Sequence, residues 1–400
     1  MKNANKIRPL CLSFWTPPAV RPQAILIGKM IPEWLRQGMH PVIITFETCG
    51  QWDIDAPIYK IPHLRMNKYL RRIPLMADLM ERNYYQKLFR LVAPIVQTHG
   101  LNIVYSFANP QSSNILGAML KEKLGIKFIS HFSDPWYDDP YETRFGRAAK
   151  KMLKQETYIM SHSDRIIIIA DKMKDLIMKK YPASWQKKVR VIPHCYDPQD
   201  YPEVKKEIGE KFILSHLGVF RKQRNPKMFF QAIRNVLTKR PYLYKTMAIK
   251  LVGSANAYTD YREKDLAEEI VRFGLEEIVE IVPTVSYKES LRIMRSSDCL
   301  VAIDANFNDS PFIVSKVIDY AASGTPIIGI APEGNPTAEF LSNAGYRCFN
   351  YSQADELADY IEKLLDGKIK PQLNRAFFEQ FHVSNTTIQL FDQFEEVLYK

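Results

Sequence analysis

The chain has 400 residues, 46% hydrophobic and 25% charged, with a formal net charge of +11. That length is too great for one ordinary core and suits two α/β domains of roughly 200 residues each. Five scattered cysteines (Cys11, Cys49, Cys195, Cys299, Cys348) speak against a disulfide framework or a cysteine zinc site and fit a reducing compartment. No uncharged stretch is long enough to span a bilayer, and the N-terminus lacks the apolar core of a signal peptide, so a cytoplasmic protein is expected.

The first half alternates short apolar runs with helix-period segments, the pattern of βα units in a parallel sheet. Strands are expected over residues 9–15, 41–46, 102–107, 127–132, 165–170 and 189–192. Helices are expected over 24–37, 113–124, 172–180 and a segment running through Tyr158. The turn-rich run from Pro193 to Pro202 ends the pattern and reads as the linker. The second half restarts with strands over 211–217, 248–252, 279–282 and 299–303, and helices over 226–237, 261–273 and 287–295. Two further helices, near 354–365 and 387–399, follow. The expected domains are 1–195, 196–385, and a C-terminal helix over 386–400 that crosses back to the first domain. Tandem open α/β domains imply a ligand in a cleft between them, at the carboxyl ends of the strands.

Positive charge has to be placed before it can be interpreted. In the segment 60–76, from Lys60 to Met76, Arg65, Lys68, Arg71 and Arg72 are interleaved with Leu64, Met66, Leu70 and Ile73, which suits contact with an anionic membrane surface. A second cluster, Arg144, Arg147, Lys150, Lys151 and Lys154, has roughly helical spacing and reads as a solvated face. Asp138 and Asp139 are adjacent acids on a loop and read as solvated, with no metal expected. No nucleic-acid recognition motif accompanies the charge.

The most informative stretch runs from Ser315 to Ile330. Ser315 can cap a helix, Lys316 adds a mobile charge at that partly positive end, and an anion would bind there. Asp319, one turn on, can offer a carboxylate to a sugar hydroxyl. Gly324 stops the helix, and Pro326 opens the apolar run Ile327, Ile328, Gly329, Ile330.

Several segments together resemble the retaining glycosyltransferases of the large family 4 type. They are Pro17-Pro18, Glu33 to Ile44, His131 to Trp136, Glu156, Ser163-Asp164, Val191 to Asp197, Gly218 with Arg224 to Pro226, Gly253, Ser297-Asp298, and Ser315 to Ile330. The resemblance implies the GT-B architecture: two Rossmann-like, doubly wound parallel-sheet domains facing a central cleft. It also implies that Gly218 and Arg224, with Arg221 and Lys222 between them, face the donor diphosphate, joined by Val314, Ser315 and Lys316. Asp319 would hold the donor ribose. His131 and Asp134 would orient the acceptor hydroxyl or stabilise an oxocarbenium-like transition state.

One departure is plain: of the family's two glutamates spaced by seven residues, the first falls on Pro311 and the second on Asp319. Val314-Ser315-Lys316 instead resembles the Pro/Ser-Ser-Lys helix start of some members. His194 and Cys195 replace the usual Asn-Gly. The implied activity is metal-independent transfer of a sugar from a nucleotide-diphosphate donor to a hydroxyl of a glycan or lipid-linked glycan, with no further cofactor and no protein nucleophile. Alternatives are a sugar-nucleotide epimerase or phosphorylase of the same fold, or a non-catalytic sugar-nucleotide or glycan-binding protein.

Overall fold

The computed structural model describes residues 6–64, 73–141, 145–204, 211–254, 259–307 and 309–399. The chain divides into two compact units, one made of Met1–Cys195 with Val383–Lys400, the other of Tyr196–His382.

The first unit contains β1 (Pro9–Leu12), α1 (Pro22–Arg36), β2 (Val42–Phe46), β3 (Ile58–Ile61), α2 (Pro74–Thr98), β4 (Ile103–Phe107) and α3 (Ser112–Leu124). It continues with β5 (Lys127–Phe132), α4 (Gly146–His162), β6 (Arg165–Ile168), α5 (Asp171–Met178), α6 (Ala183–Gln186) and β7 (Val189–Val191). The second unit contains β8 (Phe212–Leu217), α7 (Lys227–Lys239), α8 (Leu243–Thr246), β9 (Met247–Val252), α9 (Glu263–Phe273), β10 (Val279–Val282) and α10 (Tyr287–Ser296). It then runs through β11 (Cys299–Ile303), α11 (Lys316–Ser323), β12 (Ile327–Ile330), α12 (Pro336–Asn343), β13 (Arg347–Phe349), α13 (Ala354–Leu365) and α14 (Arg375–Phe378). The last helix, α15 (Val383–Tyr399), returns to the first unit and packs on α1.

Both sheets are parallel. The first has the order β3-β2-β1-β4-β5-β6-β7 and the second β10-β9-β8-β11-β12-β13. In each, the chain winds outward from the first strand, jumps back, and winds the other way, so two adjacent strands send their following loops to opposite faces. That crevice is where open α/β sheets bind ligands. It lies beyond β1 and β4 in the first unit and beyond β8 and β11 in the second.

Parallel strands covered on both faces must be apolar throughout, and β1, β2, β4 and β11 are buried along their whole length. In the first unit Trp34 of α1 is fully buried and meets Tyr105, Phe391 and Phe394 edge-on at 5.6–5.8 Å. The ring therefore joins α1, β4 and α15, and its truncation to alanine would cost about 3–5 kcal/mol. In the second unit Phe229 and Phe230 of α7 anchor one face, while Tyr320 and Val317 of α11 pack on the other.

Besides the one-turn helices α6, α8 and α14, four elements escape the pattern reading. β3 is a four-residue edge strand with Tyr59 and Lys60 exposed, so it shows no buried run. α2 carries Pro94 inside it and exposes Leu75 and Leu79 on its outer face, which blurs the helical period. α12 and β13 are short and lie beyond the clear punctuation at Gly324 and Pro326. Of the segment expected at a membrane, residues 65–72 lie outside the described residues, as does Arg144 of the second basic cluster.

Two expectations about charge need correction. Lys151 is not part of a solvated face: it is half-buried, bonded to Asp78 at 2.7 Å and to Glu81, while Arg147 reaches Asp78 at 2.6 Å. Asp138 is not a solvated loop acid but is paired with Lys180.

Candidate functional site

Beyond β8, the backbone turns at Gly218 with φ +143°, a conformation that side chains rarely adopt. A Cβ there would lie 2.9 Å from Lys316 Nζ, so the first residue of α11 lays its ammonium over the turn. The end of β8 is clamped to the same helix. Tyr320 OH accepts from Leu217 N–H at 2.7 Å and lies 3.2 Å from the Leu217 carbonyl.

Arg221 and Arg224 pair across a tight turn, N–H to carbonyl in both directions at 2.9 and 3.0 Å. The turn exposes Arg221 and Lys222 and folds Arg224 inward. There Arg224 donates to the Val219 carbonyl at 3.0 Å, while its buried Nε has no hydrogen-bond partner among the described residues. Neither Arg224 nor Lys316 has an acidic partner within ion-pair distance among the described residues. Burial, and then the neighbouring Arg224 guanidinium, bring the Lys316 ammonium down to about 8. His216, stacked on Phe220 at 4.6 Å, donates through Nδ1 to the Val301 carbonyl or is held beside it at 2.8 Å. Its buried Nε2 has no hydrogen-bond partner among the described residues, and burial, with Lys316 and Arg224 adding to it, depresses the ring to about 3. Two cations and an imidazole held neutral therefore gather at the strand end, a preorganised electropositive pocket wall.

Beyond β11, Asp304 is fully buried. It accepts from its neighbour Ala305 N–H at 2.6 Å and from Thr337 Oγ1 at 2.7 Å. Thr337 in turn accepts the Val314 amide at 3.0 Å. The Val314 N–H is thus committed to Thr337 and does not face outward. Ser315 also differs from expectation: its backbone is already helical (φ −50°, ψ −29°) and its side chain makes no capping bond, so α11 opens at Lys316 without a hydroxyl cap. Asp319 is buried, and its Oδ1 lies 3.3 Å from both Tyr201 OH and Tyr287 OH, which donate to it. Burial, and then the Asp319 carboxylate, push the Tyr287 phenol up.

The structure therefore gathers Gly218, Arg224 and Lys316 at one turn and places Asp319 one turn along α11. Arg221 and Lys222 are left exposed at the hairpin tip. Sequence reasoning missed Tyr320, Asp304 and Thr337. A single acid closing the apolar run of β11 was the available signal for Asp304; nothing local marks Thr337, which is 33 residues away.

In the first unit, His131 and Asp134 follow one another off β5 but share no hydrogen bond. His131 is buried against Phe107, ring centroids 4.2 Å apart, with Nδ1 2.5 Å from Tyr105 OH and Nε2 without a hydrogen-bond partner among the described residues. Burial, and then His194, drive it well below the usual range, so it is neutral. Asp134 accepts from Asn109 Nδ2 at 2.8 Å. The loop after it is held by buried Glu156, which accepts from Tyr137 N–H at 2.9 Å, Tyr181 OH at 2.8 Å and Lys180 at 2.8 Å. No group of three or more potential metal ligands occurs among the described residues.

Two open parallel sheets in one chain, one with a cationic glycine turn at its crevice, define the GT-B class. Residues 24–200 match the family model Glycosyltransferase Family 4, and residues 197–377 match Glycosyl transferases group 1. The chain belongs to the family 4 type of glycosyltransferases. Solved structures share the fold at low identity. Anabaena HepE in complex with UDP-glucose is 13% identical with a TM-score of 0.70, the match covering 98% of this chain and 100% of that one. Sucrose-phosphate synthase from Thermosynechococcus elongatus is 15% identical with a TM-score of 0.67, covering 98% and 99%. The lipopolysaccharide outer core galactosyltransferase WaaB, in its apo form, is 12% identical with a TM-score of 0.59, covering 98% and 99%. No curated protein matches the chain significantly by sequence.

Proposed function

We propose that the protein is a retaining, metal-independent glycosyltransferase of the cytoplasm that moves a sugar from a nucleotide-diphosphate donor to a hydroxyl of a glycan or lipid-linked glycan. The observation that carries the reading is the pair Arg224 and Lys316, two half-buried cations beside Gly218 with no acid within ion-pair distance among the described residues. Like charges are held together at a cost unless an anion shares the site, and a diphosphate supplies two negative groups to share it.

In this mechanism Gly218 admits the diphosphate close to the backbone, and Arg224 and Lys316 grip its oxygens. As the bond from the sugar to the diphosphate breaks, negative charge grows on the leaving phosphate, and both cations stabilise it where it develops. The departing phosphate oxygen takes the proton of the acceptor hydroxyl as that hydroxyl joins the sugar on the same face, so no protein nucleophile is required. The Ser315 and Lys316 amides at the start of α11 add donors, whereas the Val314 amide is already used by Thr337. Asp319, oriented by Tyr201 and Tyr287, receives a ribose hydroxyl. On the acceptor side Asp134 orients the incoming hydroxyl, and neutral His131 positions the end of β5 through Tyr105. HepE crystallised with UDP-glucose favours a uridine donor among the candidates.

The test is a thermal-shift and calorimetric series with UDP, GDP, ADP and their sugars, followed by product analysis with the nucleotide that binds. Selective binding with transfer and retained anomeric configuration supports the proposal. Tight binding without transfer or hydrolysis points to a sugar-nucleotide binding protein, and inverted product or an epimerised sugar rejects the retaining transfer.

A further inference from the structure

The first unit carries an amphiphilic surface that the donor chemistry does not use. α2 and α4 run side by side in the same direction, as the rungs between them show. Arg147 and Lys151 reach Asp78 at 2.6 and 2.7 Å, Lys151 also reaches Glu81, and Gln155, one turn on, reaches Glu81 at 2.8 Å. Their N-terminal ends therefore lie together. At that end the apolar side chains face water: Phe145 is 79% exposed, Leu75 76%, Ile73 and Leu79 51% each, and Met76 42%. Five of the large exposed hydrophobic residues thus sit within two turns of two neighbouring helix starts, which is not the scattered exposure of an ordinary soluble surface.

Behind this apolar end, the helices and α3 enclose a groove of about 610 Å³. Six cations line it (Arg82, Lys123, Arg147, Lys150, Lys151, Lys154) against three acids, Asp78, Glu81 and Glu122. The acids are already engaged: Asp78 and Glu81 by Arg147 and Lys151, Glu122 by Tyr158 OH at 2.9 Å. Arg82, Lys150 and Lys154 are exposed with no acidic partner among the described residues, and Arg90 continues the same outer face of α2. The surface is apolar at its tip and cationic immediately behind, the order in which a bilayer presents acyl chains and then phosphate headgroups.

We propose that this face docks the protein on an anionic bilayer, with Phe145, Leu75 and Leu79 entering the acyl boundary and Arg82, Lys150 and Lys154 contacting lipid phosphates. Charge decides the occupant. Free lysines are depleted from protein–protein interface cores, whereas a negatively charged lipid surface rewards each one that reaches it. Apolar side chains that protrude from helix ends, rather than forming a flat continuous patch, also suit a fluid acyl layer. Attachment is peripheral, since no helix among the described residues is long and apolar enough to cross a membrane. The sequence alone points to the segment 60–76 for such contact; the surface argued here begins where residues 65–72 end and adds α4, which that reading assigned to solvent.

The experiment is cosedimentation of the full chain with vesicles of phosphatidylcholine alone or with about 30% phosphatidylglycerol, at low and high salt. The expected result is binding to the anionic vesicles only, weakened at least tenfold by K150E/K154E and, at unchanged charge, by L75S/L79S. Loss in the charge variant with full binding by L75S/L79S would mean simple electrostatic adsorption and overturn the insertion. No binding by the intact protein at low salt would overturn the whole, as would a wild-type dimer in solution that L75S/L79S converts to monomer without any vesicle binding. Nucleotide binding and melting temperature, read on the same samples, should be unchanged in both variants, so failure here is separable from failure of the donor reading.

Discussion

The loops beyond β5 and β8 end their sheets in opposite electrostatic states. After β5 the acids are partnered: buried Glu156 and half-buried Asp138 share Lys180, and Asp134 accepts from the Asn109 amide. After β8 two cations converge on a glycine turn with no acid within ion-pair distance among the described residues, and a histidine beside them is held neutral. A satisfied cluster holds a loop in place; an unsatisfied one of a single sign is completed by a ligand. That difference supports the proposed anion binding in the second unit and the proposed positioning role in the first.

The largest effect expected is at the unsatisfied cluster. Lys316→Ala and Arg224→Ala should each weaken nucleoside-diphosphate binding by about 2–5 kcal/mol, since each removes one partner of a buried charged contact. Calorimetry reads this, and the unliganded melting temperature should hold or rise because like-charge repulsion is relieved. The satisfied cluster should behave the opposite way. Lys180→Met leaves Glu156 buried without its cation and should destabilise the fold by about 3–5 kcal/mol, measured by denaturant unfolding, with diphosphate affinity little changed.

A pH series sharpens the contrast. A bound diphosphate favours the charged Lys316, whose free-state value is brought down to about 8, so binding takes up a proton and affinity should fall as pH rises through 8, by at most about tenfold per unit. The sign for stability is reversed. The folded protein holds fewer protons on this lysine than the unfolded chain between pH 8 and the ordinary lysine range, so the residue's penalty is full below pH 8 and fades above it. Lys316→Arg should flatten the affinity profile. The smallest effect expected is Tyr287→Phe, which removes one of two donors to Asp319 and should weaken donor binding by about 1 kcal/mol in the same titration.

What could be read from sequence follows a physical boundary. Local chemistry was legible: Gly324 and Pro326 bracket α11 and β12, and the apolar runs of β5, β10 and β11 appear at their observed limits. The glycine turn at Gly218 and its link to Lys316 were reached through the family resemblance. Pairings distant in sequence were not legible. Tyr105 with His131, Asp304 with Thr337 and Glu156 with Lys180 join residues 24 to 33 positions apart, and only the strand order of the sheets brings them together. Longer still is the reach from Asp78 to Arg147 and Lys151, which turned an apparently solvated basic face into one wall of a groove. For Ser315 and Val314 the local rule itself misled: a serine before a helix usually caps it, but here Thr337 takes the Val314 amide, and Ser315, with dihedrals already helical, makes no capping bond.

The most direct measurement is titration of UDP, GDP and ADP into the wild-type protein and Lys316→Ala, at pH 7 and pH 9. The account predicts saturable binding of one nucleotide at pH 7, weaker at pH 9, and lost in the variant at both. Binding that is indifferent to Lys316 and to pH would contradict it and remove the β8 turn as the place where the diphosphate is held.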